Sequence, residues 1–80
     1  MKIPRNLTGR ELTSLLSPYG YTITRQTGSH IRLTTSKKGN HHITIPDHKP
    51  LRIGTLSAII NEVALHFNMQ KRELLQELFG

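Results

Sequence analysis

The 80-residue sequence contains no cysteine and no tryptophan, and it has only two tyrosines and two phenylalanines. Without cysteine the chain can form neither a disulfide framework nor a thiolate metal site, and a cytoplasmic location is favoured. No apolar run approaches the ~20 residues that a membrane-spanning helix needs, and the N-terminal stretch does not resemble a secretion signal. We therefore expect a soluble protein that folds as one domain over residues 1–80 with a thin hydrophobic core.

Several catalytic patterns are missing as well. The sequence has no glycine-rich loop for phosphate, no cysteine nucleophile and no pair of carboxylates within one predicted element. The few aromatic residues argue against a sheet on which nucleic-acid bases stack. An enzyme built from this chain would have to work with histidine and with positively charged side chains.

Acidic residues are scarce, and the positive charge is unevenly distributed. Eleven lysines and arginines oppose five acidic residues, which gives a net charge of +6. Residues 1–54 hold nine basic and two acidic residues, whereas residues 55–80 hold two basic and three acidic ones. Many small proteins are basic without binding a polyanion, but this segregation favours a nucleic-acid partner.

Two stretches have the periodicity of amphipathic helices, and a short third one follows. Thr8 and Glu11 form a T-x-x-E capping box at the start of a leucine stripe, which predicts the first helix. A second helix is predicted to begin near Thr55, and Asn68 is expected to cap a short C-terminal helix.

Between these helices three stretches alternate apolar and polar residues, which predicts strands over residues 21–26, 30–35 and 41–46. The residues predicted to face the core are Tyr21, Ile31, Leu33, Ile43 and Ile45, and Ile23 is predicted to share the face of Tyr21. Those predicted to face outward are His30, Arg32, Thr34, His42 and Thr44. Two turns join the strands into a three-stranded antiparallel meander with one wet face. The prediction is an α+β domain of two layers, α-β-β-β-α, with an extra short C-terminal helix.

The second predicted strand opens with the sequence Gly28-Ser29-His30. An imidazole titrates near neutral pH, so His30 could remove the 2′-hydroxyl proton of RNA while Arg32 stabilises charge on the phosphoryl oxygens. Gly28 would let a phosphate approach the backbone, and Ser29 offers a hydroxyl donor. The alternative is structural, with His30 bonded to a turn carbonyl.

Four potential metal ligands, His41, His42, Asp47 and His48, fall within eight residues. Adjacent residues of a strand point to opposite faces, so His41 and His42 cannot ligate one ion together. We predict no metal site and no cofactor. His48 is expected to position its loop or to touch a phosphate, and His42 to be a solvated strand residue.

Basic side chains occur at positions from which they can reach phosphates. Lys37 and Lys38 occupy a predicted hairpin tip, and Lys49 lies in a loop. Each taken alone is ordinary solvated surface, but on one side of the molecule they would bind a polyanion.

In order and spacing, the motifs resemble the HicA (YcfA-like) family of small toxins. Gly28-Ser29-His30 opens the second strand, Pro46-Asp47-His48 follows the third, and Gly54-Thr55-Leu56 starts the second helix. The resemblance extends from about Ile3 to the end of the chain. It implies a double-stranded-RNA-binding type of fold, an mRNA interferase with His30 as catalytic residue, and a HicB antitoxin that covers the site.

The resulting hypothesis is a metal-independent endoribonuclease toxin that recognises RNA more by shape than by sequence. His30 acts as general base or acid. The residues expected to contact RNA are Gly28, Ser29, Arg32, Lys37, Lys38, His48 and Lys49. Two alternatives stay open: a non-catalytic RNA-binding module that uses the same basic face, and an interaction domain that docks an acidic protein. The oligomeric state of the free chain is also open, and a monomer is one of the alternatives.

Overall fold

A computed structural model describes residues 3–80 of the chain. The elements are α1 (Gly9–Leu15), a 3₁₀ turn (Ser17–Tyr19), β1 (Thr22–Thr27), β2 (His30–Thr35), β3 (His41–Pro46), α2 (Ile53–His66) and α3 (Lys71–Phe79). The predicted α-β-β-β-α order with an additional C-terminal helix is therefore confirmed, and the layout is that of an α+β domain of the double-stranded-RNA-binding type. Over residues 3–80, none of the helices is long and apolar enough to cross a membrane.

The sheet is antiparallel, with the strand order β1-β2-β3 and one face covered by helices. On the covered face Ile31 pairs with Ile45 and Leu33 pairs with Ile43, and all four are buried in one cluster with residues of the three helices. Side chains of directly paired residues share a face, so the register also defines the other side. The residues that the register places on this open face are Thr22, Arg25, Thr27, His30, Arg32, Thr34, His42, Thr44 and Pro46. The outward orientation predicted for the polar strand residues is confirmed.

The edge strand β1 differs from the prediction. Ile23 pairs with Leu33 and therefore lies on the covered side, but 47% of its surface is exposed. Every residue of β1 is exposed, and the pairing register shifts between Ile23 and Arg25. Ile23 therefore lies on the predicted face but is not part of the core, because the helices do not extend over this edge. Tyr21, just before β1, is buried as predicted.

The capping box predicted at the start of α1 is confirmed. The Glu11 N–H donates to Thr8 Oγ1 at 3.1 Å, and the Thr8 N–H donates to Glu11 Oε1 at 2.9 Å. The bond from the Thr8 backbone lowers the pKa of Glu11 most, and the Thr8 side chain lowers it further. α2 begins at Ile53, two residues earlier than predicted.

A left-handed residue separates α2 from α3. Asn68 has a φ of +56°, and the next residue donates its N–H to the Ala64 carbonyl at 2.8 Å, which closes the end of α2. The prediction that Asn68 caps α3 is wrong, because the N-cap is Gln70, whose N–H donates to Glu73 Oε1 at 3.0 Å. Asparagine tolerates this backbone conformation better than most residues, so it can end a helix where a glycine is absent.

Substituting Asn68 with alanine is expected to destabilise the protein by about 1 kcal/mol, since the left-handed conformation is costly for a residue with an ordinary Cβ. Asn61, an exposed asparagine within α2, provides the matched control. Asn61→Ala is expected to be neutral or slightly stabilising, because alanine is the better helix former. Urea denaturation measures both variants, and equal stability of the two would contradict this role for Asn68.

Candidate active site at one end of the sheet

His30 lies at one end of the central strand, on the open face. It pairs with Thr27 of β1 and with Pro46 of β3, and its side chain is exposed. Gly28 and Ser29 form the two-residue turn before it. Gly28 has a φ of +56°, a conformation that glycine adopts without steric cost. Apart from Gly28 and its two chain neighbours, no residue has a heavy atom within 4 Å of the position that a Cβ would take. The turn therefore leaves open space beside the imidazole.

The loop after β3 returns to the same end of the sheet. The Asp47 N–H donates to the Ser29 carbonyl at 2.6 Å, and the Gly9 N–H at the start of α1 donates to the His48 carbonyl at 3.0 Å. The loop is thus held between the β1–β2 turn and α1. It brings the exposed side chain of His48 to the end of the molecule that carries His30.

Arg10 and Asp47 belong to this end, although sequence reasoning did not place them there. Arg10 Nε and Nη2 each lie 3.3 Å from Asp47 Oδ2, and the arginine side chain is half exposed. Asp47 Oδ1 is buried and has no hydrogen-bond partner among the described residues. The two residues are 37 positions apart, so no local pattern could have indicated the contact. Lys49 follows in the same loop with an exposed side chain.

Two arginines form the next row of the open face. Arg25 is paired directly with Arg32, and both side chains are exposed. Like charges that face each other across neighbouring strands destabilise a sheet, and an anion bound between them would remove the repulsion. This row lies about 7 Å from the His30 row, because a strand rises about 3.4 Å per residue.

Lys37 and Lys38 lie at the opposite end of the sheet. They belong to the β2–β3 turn, and Lys37 Nζ donates to the Pro18 carbonyl at 3.0 Å. β2 is six residues long, so roughly 17–20 Å separates its two ends. The structure therefore does not bring these lysines together with His30. That these lysines bind RNA stays a prediction, and it requires an RNA strand long enough to extend from His30 to the far end of the sheet.

His41 and His42 point to opposite faces, as predicted. On the covered side His41 Nδ1 lies 2.7 Å from the Tyr21 hydroxyl, and its ring stacks on that of His66 with centroids 4.4 Å apart. Burial raises the pKa of Tyr21 to about 12, and Glu62 adds to the shift. Within residues 3–80, no three histidine, aspartate or glutamate side chains are arranged as ligands for a metal ion.

The stability of the protein is expected to decrease as the pH falls from about 7 to about 5. Burial lowers the pKa of His41 below 6.5, and the neighbouring His66 lowers it further, whereas Glu62 opposes the shift. The unfolded chain therefore binds the proton at a higher pH than the folded chain does. The stabilisation is complete above pH 6.5 and is lost as the pH falls through the pKa of folded His41.

Thermal denaturation over this pH range checks the expectation, with His41→Asn as the comparison. This variant should lose less of its melting temperature on acidification than the wild-type protein does. Identical pH dependence of the two proteins would show that His41 does not contribute.

The comparisons with known proteins agree with the fold and with the motifs. Residues 9–65, from α1 to the last turn of α2, match a family model described as the HicA toxin of bacterial toxin–antitoxin. Because the match covers well over half of the sequence, the chain belongs to the HicA toxin family, as its motifs predicted. Neither a curated protein nor a solved structure matches the chain significantly.

Proposed function

We propose that this HicA-family toxin is a cytoplasmic endoribonuclease that cleaves mRNA without a metal ion and uses His30 as its catalytic residue. The observation that carries the proposal is the layout of the open face. An exposed imidazole and a directly paired set of two arginines occupy neighbouring rows beside an unobstructed turn. A base next to two cations is the arrangement that cleavage of a phosphodiester bond by the RNA's own 2′-hydroxyl requires.

The chemistry follows from these groups. The neutral imidazole of His30 accepts the proton of the 2′-hydroxyl as O2′ attacks the adjacent phosphorus. The bond from phosphorus to O5′ breaks, and O5′ leaves with a proton from the imidazolium or from water. The products are a 2′,3′-cyclic phosphate and a 5′-hydroxyl. Arg32 and Arg25 stabilise the charge on the non-bridging oxygens, and Ser29 donates a hydrogen bond to them.

Other residues would hold the RNA on either side of the reacting bond. His48 and Lys49 are exposed at the His30 end and can reach a phosphate of the same strand. Gly28 lets the backbone approach the phosphate closely, because its surroundings are open. Lys37 and Lys38 would contact only an RNA that extends across the sheet to its far end.

A HicB-type antitoxin would neutralise this toxin by covering the open face. His30 and both arginines are exposed, so nothing within residues 3–80 shields them from RNA. A partner with acidic side chains would match the positive charge of this face.

Paired expression in a bacterial host tests the proposed function. Wild-type protein is expected to arrest growth and deplete total mRNA, whereas His30→Ala should do neither at the same protein level. Equal behaviour of the two proteins would contradict catalysis by His30. If purified protein nevertheless binds RNA, the chain is a non-catalytic RNA-binding module.

A further inference from the structure

A chain of hydrogen bonds crosses the open face at the end remote from His30. Thr24 Oγ1 donates to the Arg32 carbonyl at 3.4 Å, and it lies 2.8 Å from Thr34 Oγ1. Thr34 Oγ1 in turn lies 2.8 Å from His42 Nδ1. The three side chains belong to three different strands, so the chain links the whole width of the sheet.

These bonds have two possible directions, because either threonine hydroxyl can donate to the other. A carbonyl only accepts, so in the direction that includes the 3.4 Å bond to Arg32 the hydroxyl proton of Thr24 points to that carbonyl and not to Thr34. In that arrangement Thr34 donates to Thr24, and the Thr34 oxygen accepts from Nδ1–H of His42. A ring with its proton on Nδ1 keeps a lone pair on Nε2, and the exposed side chain can present that lone pair to a ligand.

His42 is too far from His30 to act on the same phosphate. It pairs with Thr34, which lies four residues along β2 from His30. The two rows are therefore about 14 Å apart, because a strand rises about 3.4 Å per residue. The row that contains Arg25 and Arg32 lies midway between them. An RNA strand held at His30 and at the arginines would reach His42 with a nucleotide beyond the reacting bond.

We propose that His42 is a specificity-determining contact for an unpaired RNA strand that lies along the open face from His30 to His42. The inference rests on the proposed function. With the ring proton on Nδ1, the Nε2 atom of His42 accepts a hydrogen bond from a nucleotide of that strand. Unpaired bases present N–H donors on edges that a duplex uses for pairing, so an acceptor at this place favours single-stranded RNA.

Steady-state cleavage of two unpaired RNA substrates by purified full-length protein tests this contact. A dinucleotide bound at His30 is too short to reach His42, whereas an octanucleotide spans the face. His42→Ala is expected to raise the KM of the octanucleotide about threefold to tenfold at unchanged kcat, as the loss of one hydrogen bond implies. The dinucleotide should be cleaved equally by both proteins. An equal KM for the octanucleotide would overturn the inference while leaving cleavage by His30 intact.

The Thr34→Val variant tests the contribution of the hydrogen-bond chain separately from that of the His42 imidazole. It removes the acceptor for Nδ1–H and keeps His42. Nitrogen NMR of the histidine rings is expected to show Nδ1–H in the wild-type protein and a shift toward Nε2–H in the variant, together with a raised KM. An unchanged tautomer would contradict the proposed role of Thr34, and Nε2–H in the wild-type protein would overturn the inference.

A binding measurement distinguishes failure of this inference from failure of the proposed function. If the wild-type protein cleaves neither substrate, the affinity of the octanucleotide is measured directly for both proteins. Binding that is about threefold to tenfold weaker in His42→Ala supports the contact without catalysis. Equal affinity overturns it, and so does an equally large effect of His42→Ala on the octanucleotide annealed to its complement.

Discussion

Substituting His30 with alanine is expected to slow RNA cleavage by the purified protein about 10²- to 10⁴-fold, the contribution typical of a general acid or base. The imidazole is exposed at the end of β2, and the arginine row lies next to it on the same face. No other imidazole occupies the His30 row, whose remaining members are Thr27 and Pro46. Single-turnover cleavage of a labelled RNA measures the rate.

Folding and RNA affinity provide the controls for this variant. An exposed side chain away from packing contributes little to stability, so the free energy of unfolding should change by no more than about 0.5 kcal/mol. RNA affinity should also be nearly unchanged, because the arginines and lysines supply the attraction to phosphate. A folded variant that cleaves as fast as the wild-type protein would contradict a catalytic role, and a variant that unfolds would contradict the expected small effect on stability.

Gly9→Ala is expected to destabilise the protein by about 1–3 kcal/mol or more, the cost of overpacking a close contact. A Cβ at Gly9 would lie 2.0 Å from the Pro46 carbonyl oxygen and 3.1 Å from its carbon. These are backbone atoms, so α1 or the end of β3 must move to make room. The same movement would disturb the bond from the Gly9 N–H to the His48 carbonyl and displace the loop beside the candidate site. Thermal denaturation should show a melting temperature lower by roughly 4–8 °C per kcal/mol.

Gly54→Ala is the matched control, because Gly54 lies within α2 and a Cβ there meets nothing within 4 Å. Alanine is the better helix former, so this variant should be more stable than the wild-type protein by about 0.5–1 kcal/mol. If Gly9→Ala were as stable as Gly54→Ala, the close packing of α1 against β3 would be wrong.

The strands were predictable because their signals are local. Alternation with a period of two, bounded by turn residues, gave the bounds of β2 and β3 and the face of each side chain. The exposure of Ile23 was not predictable in this way, because alternation indicates a face but not how far the covering helices extend. The cap of α3 was misassigned for a related reason: Asn68 suits both an N-cap and a left-handed helix end.

In the candidate site, too, the features set by local sequence patterns were predictable, and those set by packing between distant segments were not. The orientation of His30 and Arg32 follows from the strand pattern alone, whereas the contact between Arg10 and Asp47 depends on the packing of α1 against a distant loop. The separation of Lys37 from His30 could have been foreseen. Successive turns of an antiparallel meander lie at opposite ends of the sheet; His30 directly follows the first turn, whereas Lys37 belongs to the second.

The chemical ends of the RNA products, formed by the purified protein in EDTA, test most directly the proposal that this protein cleaves RNA through its 2′-hydroxyl without a metal ion. Attack by the 2′-hydroxyl predicts a 2′,3′-cyclic phosphate and a 5′-hydroxyl, with no cleavage at a nucleotide that lacks the 2′-hydroxyl. Products that carry a 5′-phosphate and a 3′-hydroxyl, or cleavage that EDTA abolishes, would contradict it.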